Sequence, residues 1–157
     1  MDALLAALEG SGVAQALRAS RWGYAGVNAL HILGIALLVG SVVPLNLRLL
    51  GLWRARVPRE AAVRLLVPVA AAGLVLAVTA GLLLFSVRAR EYSGIGFLQA
   101  KLALAILGTA AALIAHIRHG FLLETAPAAQ LRIHALISLG CWIGALACGR
   151  LIAFAGG

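Results

Sequence analysis

The sequence predicts an all-α integral membrane protein: an antiparallel four-helix transmembrane bundle with a short N-terminal interfacial helix. Three observations predict it. Hydrophobic residues make up 63% of the 157 and charged residues only 11%, with a mean hydropathy of +1.04, a balance that soluble domains do not carry. Apolar segments at 22–47, 65–87, 96–117 and 133–154 each reach the roughly 20 residues that a hydrocarbon core demands. The connections between them are short, which makes successive spans antiparallel neighbours and leaves 1–157 as a single membrane domain.

Residues 1–21 begin acidic, at Asp2, with no basic stretch ahead of an apolar core. They do not read as a secretory signal. Leu4, Leu5, Leu8 and Leu17 instead predict a short amphipathic helix on the membrane surface. Trp22 and Tyr24 then fall where an interfacial aromatic belt belongs. The first span follows, with Pro44 near its end, and the second carries Pro68 near its start.

The second span also carries Gly73, Ala77 and Gly81 at steps of four, and the fourth span carries Gly140, Gly144 and Cys148 at the same step. Small residues at that period let helix backbones approach closely in lipid. Two such seams exceed what one bundle needs, and they predict a homodimer. Cys141 and Cys148 lie too far apart along one helix to form a disulfide. They read as packing residues. No internal repeat points to an inverted-repeat transporter.

The formal net charge is +8. In a soluble domain that excess would point to nucleic acid. Here the basic residues flank the spans, so they read as topology signals and headgroup contacts, with no nucleic-acid partner. The first connection holds Arg48, Arg54, Arg56, Arg59 and Arg64, against Arg18 and Arg21 ahead of the first span. The positive-inside rule then places the first connection in the cytoplasm and both termini outside.

Five ionisable residues are stranded within the apolar segments: His31, Lys101, His116, His134 and Arg150. A charge at a helix centre costs roughly 2.5–3.5 kcal/mol on insertion scales, so such groups face a bundle interior, a cofactor or a polar cavity. Helical rise converts sequence offset into depth. Taking the N-terminal side as outer, His31 lies about 5 Å outside the midplane, and Lys101 and Arg150 roughly 9 Å outside. His116 lies about 13 Å and His134 about 15 Å to the inner side.

Asn28 joins the outer level, on the face of His31. Asn46 joins the inner level, and His119 stands at the membrane edge. His31 and His116 are therefore too far apart in depth to ligate one iron. At about 100° per residue, His134 and Arg150 fall on nearly opposite faces of the fourth helix, so one of them points away from the bundle.

The outer level fits a haem b. His31 is a candidate axial iron ligand. Lys101 and Arg150 stand at the depth of two propionates, with Asn28 beside them. No Asp or Glu lies in the core of any span to neutralise Lys101, and an anionic ligand fills that gap. The structural alternative has Lys101 snorkelling outward and His31 bonded to a carbonyl. At the inner level, His116 and His134 stand at matched depth on neighbouring helices. They are candidates for a second, bis-His haem or a metal ion, or else two interfacial histidines. Structural zinc is disfavoured, because no Cys or acidic residue completes a set of four ligands.

The segments "NALHILGIALLVGSVVPLNLRLLGL", "FLQAKLALAILGTAAALIAH" and "LISLGCWIGALACGRLIAF" resemble, in order, an uncharacterised family of four-span bacterial integral membrane proteins. More distantly the arrangement is similar to the copper-resistance D membrane domain. It is also similar to the four-helix membrane protoporphyrinogen oxidase of bacterial haem synthesis. That enzyme pattern has an essential His in its first span and a Lys opening a later one, and His31 and Lys101 take the corresponding places. The resemblance implies the bacterial inner membrane, and a porphyrin or quinone ligand. One departure stands out: the family usually reads Asp-Leu-Arg-Leu-Leu-Gly after the first span, where this chain has Asn46 to Gly51. An Asn cannot carry a proton, which removes that position from any proton relay. His134 is not part of the family motif.

No phosphate-binding Gly loop, nucleophile triad or carboxylate pair is present, which sets hydrolases and nucleotide enzymes aside. Four readings stay open. The chain is a haem- or porphyrin-binding protein with a redox role, or an oxidoreductase acting on porphyrinogen or quinol. Otherwise it is a small metal or solute transporter, or a structural membrane subunit.

Overall fold

The computed structural model describes residues 2–53 and 55–155. Among them there are seven helices and no strand. Two are short: α1 (Asp2–Glu9) and α2 (Gly12–Ala19). The long ones are α3 (Arg21–Leu50), α4 (Arg59–Val87), α6 (Gly96–His119) and α7 (Ala128–Ala155), with the five-residue α5 (Ala89–Ser93) between α4 and α6. All four long helices are long and apolar enough to cross a membrane. The protein is an all-α transmembrane four-helix bundle. Arg54 of the basic connection lies outside the described residues.

The helices overrun the apolar segments. At 30 residues, α3 is roughly 45 Å long, against a hydrocarbon core of about 30 Å. Its polar ends therefore extend into the interfaces. Ser20 starts α3 by accepting a hydrogen bond from Gly23 N–H through its side chain. Gly51 ends it with φ 116°, a left-handed cap that favours glycine.

The N-terminal expectation needs correction. There are two helices, not one, broken at Gly10–Ser11, where Ser11 caps α2 by accepting from Ala14 N–H. They are tied to the bundle. Glu9 accepts from the backbone N–H of Arg90 at 3.0 Å and pairs with its side chain at 3.7 Å. Arg18 donates to the Glu9 carbonyl. Ala14 is fully buried.

The long helices pack in the order α4–α3–α7–α6, and α4 makes no close backbone approach to α6. The tightest seam is α3 on α4. A Cβ on Gly34 would stand 2.5 Å from Ala77 N, and one on Gly73 would stand 2.5 Å from Leu38 N. The seam of Gly73, Ala77 and Gly81 is therefore filled from within the bundle. That removes one of the two motives for a homodimer. In the other seam Gly144 meets Leu104, while Gly140 faces open space.

The core is uneven. Define the inner end as that of the α3–α4 connection, and the outer end as that where α3 begins. Leu45, Leu49, Val63, Ala115, Leu131 and Ala135 pack together at the inner end. Leu38, Val42 and Trp142 fill the middle. His31 and Lys101 belong to neither cluster, and both are half-buried at the outer end.

Candidate functional site at the outer end

His31 projects from α3 onto α4. Its Nδ1 lies 2.8 Å from the Ala77 carbonyl oxygen. A carbonyl only accepts, so Nδ1 carries the proton and donates. The lone pair of the neutral ring is then on Nε2. Gly81, one turn further along α4, makes room for the ring. A Cβ there would stand 3.0 Å from Cε1 and 3.2 Å from Nδ1 of His31. One helix thus supplies both the acceptor that orients the imidazole and the gap that admits it.

Lys101 opens α6 and lies along α7. A Cβ on Gly149 would stand 3.5 Å from its Nζ and 3.7 Å from its Cδ. No close backbone approach joins α6 to α3, the helix that carries His31. The ion pairs found among the described residues, Arg59–Glu60, Arg88–Glu91 and Arg90–Glu9, all lie at the ends of the bundle. None involves Lys101.

The other two outer candidates do not join this pair. Asn28 is exposed. Arg150 is exposed as well, with its guanidinium 4.9 Å from the ring centroid of Phe154 on the same helix, a cation–π contact. Of the two residues on opposite faces of α7, Arg150 is the one that points away.

At the inner level the histidines serve different ends. His116 donates from Nδ1 to the Phe121 carbonyl at 2.9 Å and stacks on the Phe121 ring at 5.9 Å. It closes the turn leaving α6. His119 lies 3.3 Å from Thr125 Oγ1 in the same connection. His134 is half-buried, and its Nδ1 is buried with no hydrogen-bond partner. Among the described residues, no three His, Cys, Asp or Glu side chains gather as a metal site.

Sequence reasoning missed a buried contact. Asn46, only 5% exposed, donates from Nδ2 to Ser138 Oγ at 2.9 Å, joining α3 to α7. Ser138 sits one turn from His134 on the same face. Asn46 thus anchors a helix pair, a role an amide fulfils without carrying a proton. The visible signal was the spacing of His134 and Ser138, the polar residues of an otherwise apolar α7 face.

The fold and this site define the class: a multi-pass α-helical membrane protein with an oriented histidine and an unpaired lysine at one end of its bundle. No family model matches the chain, and neither does any curated protein or solved structure.

Proposed function

We propose that the protein binds haem b or a related porphyrin and takes part in electron transfer in the bacterial inner membrane. The observation that carries this reading is the His31–Ala77 hydrogen bond. Ligating histidines typically donate their other ring N–H to a carbonyl or carboxylate, which fixes the tautomer and raises the basicity of the ligating nitrogen. His31 has that arrangement, with Nε2 as the free donor atom. When bound, haem supplies a one-electron couple at its iron. Lys101 holds a ligand carboxylate by a charge-assisted hydrogen bond, and it has no acidic side chain to compete for it. Asn28 and Arg150 have no part in this site.

A second reading is favoured by the separation of α4 from α6. A lipid-soluble porphyrinogen or quinol would enter there from the bilayer. His31 Nε2 would then be the proton acceptor, a separate oxidant such as a quinone would take the electrons, and the protein would be an oxidoreductase. In both readings the arginine-rich connection lies in the cytoplasm and both termini in the periplasm. A homodimer, where it forms, uses the open face at Gly140.

The test is an absorption spectrum of the detergent-purified protein, oxidised and reduced, with haem supplied during expression. Haem binding gives a Soret band that His31→Ala abolishes while helicity is retained. A colourless wild-type protein under those conditions overturns the haem reading. Oxidation of added porphyrinogen by that same colourless protein, dependent on a quinone supplied as electron acceptor, would favour the second.

A further inference from the structure

A different site lies at the inner end, independent of the His31 reading. A cavity of about 360 Å³ opens where the α3–α4 connection meets the start of α7. Arg48, Leu49, Pro58, Arg59, Ala128 and Leu131 line it. We infer that this cavity holds the phosphate of an anionic phospholipid.

Four features support the assignment. The first is charge: two guanidiniums line the cavity, against one carboxylate, Glu60. Glu60 pairs with Arg59 at 3.4 Å, which leaves Arg48 in excess. The second is unmet hydrogen bonding. Arg59 Nε is enclosed with no hydrogen-bond partner, while the side chain as a whole is 24% exposed, and a phosphate oxygen in the cavity is a fitting acceptor for the accessible guanidinium N–H groups. Arg48 is held in position by its own Nε, which donates to the Val57 carbonyl.

The third feature is backbone polarity. Pro58 precedes α4 and offers no side-chain cap, so the positive end of the α4 dipole borders the cavity, met there by Glu60, whose carboxylate accepts from its own backbone N–H. The fourth is what separates a lipid from a free anion. Leu49, Leu131 and Pro58 make half of the lining apolar. That surface suits the glycerol and first acyl carbons below a phosphodiester and gives nothing to a hydrated inorganic ion. The cavity also belongs to the arginine-rich end, which the positive-inside rule assigns to the leaflet where anionic lipids concentrate.

The experiment uses the full chain reconstituted in phosphatidylglycerol or in phosphatidylcholine and released for native mass spectrometry. Wild-type protein is expected to retain phosphatidylglycerol in preference to phosphatidylcholine. The double variant Arg48→Gln/Arg59→Gln should retain one phosphatidylglycerol fewer, while Arg56→Gln, exposed on the same connection, retains as many as wild type. Arg59→Lys keeps the charge but lacks the forked guanidinium donors, and it serves where the double variant does not fold. It should show reduced retention. Equal retention of both lipids by wild-type protein overturns the inference with no variant needed, as does undiminished retention in the double variant. A second arm adds inorganic phosphate to lipid-depleted protein. Thermal stabilisation by phosphate alone, equal to that from phosphatidylglycerol, would make free phosphate the ligand and overturn the lipid assignment.

Discussion

The imidazole of His31 on α3 donates to the carbonyl of Ala77 on α4, across the tightest helix seam in the protein. That carbonyl also belongs to the α4 backbone ladder, so the bond adds a second donor to an acceptor already in use. The ring orientation is thereby coupled to the register of two helices. Any change that separates α3 from α4 will release the ring as well.

Gly81 is the most direct probe of that coupling. A Cβ there would meet His31 Cε1 at 3.0 Å and Nδ1 at 3.2 Å. Gly81→Val should displace the ring from the Ala77 carbonyl while the four helices persist and, under the proposed porphyrin-binding reading, abolish pigment or activity. The stability loss should be modest, in the range of about 0.5–1.5 kcal/mol for one hydrogen bond. Circular dichroism checks the fold, and the absorption spectrum checks the site. An unchanged spectrum in a folded Gly81→Val protein would separate His31 from ligand binding.

Two glycines of α3 should behave in opposite ways. A Cβ added at Gly34 would stand 2.5 Å from Ala77 N, whereas Gly40 has open space where a Cβ would go. Gly34→Ala must push the backbones apart, at a cost of about 1–3 kcal/mol for overpacking. Gly40→Ala should be neutral, or stabilising by up to about 1 kcal/mol through helix propensity. Denaturation in mixed micelles measures both. Similar effects at the two positions would contradict the α3–α4 seam.

The spans were legible in the sequence because their length and apolarity are local properties. The expected 22–47, 65–87, 96–117 and 133–154 sit inside the observed α3, α4, α6 and α7. Helix ends were less legible: α7 starts at Ala128 and α4 at Arg59, because polar turns can continue a helix into the interface. The faces were the least legible. In lipid, both the inward and the outward surface of a helix are apolar, so no amphipathic stripe tells them apart. Depth counting grouped Arg150 with His31, but depth has no azimuth, and Arg150 faces Phe154. For the same reason the Gly73–Ala77–Gly81 seam announced a close approach without naming its partner, which is α3 rather than a second subunit.

The Asn46–Ser138 bond is a further prediction about stability alone. A double-mutant cycle with Asn46→Ala and Ser138→Ala should give a favourable coupling of about 0.6 kcal/mol, the average for interhelical hydrogen bonds in a membrane protein. Coupling near zero would mean that each partner finds an equivalent bond elsewhere.

Lys101 separates stability from function most sharply. Its stem lies along Gly149, and it forms none of the ion pairs found among the described residues. A lysine within a membrane helix carries a cost, roughly 2.5–3.5 kcal/mol at a helix centre and less toward the interface. Met keeps the stem's length and adaptability without the charge. Lys101→Met should therefore leave the ligand-free protein as stable as wild type, or more so. The same substitution removes the cation proposed to hold a ligand carboxylate, so ligand retention through detergent washing should fall. Gly149→Leu, which crowds the Lys101 stem, should weaken retention while the charge remains. Stability is read by thermal denaturation without ligand, and retention by the pigment-to-protein ratio after washing. A Lys101→Met protein that is less stable when ligand-free, yet retains ligand like wild type, would show that the ammonium supports the fold rather than the site.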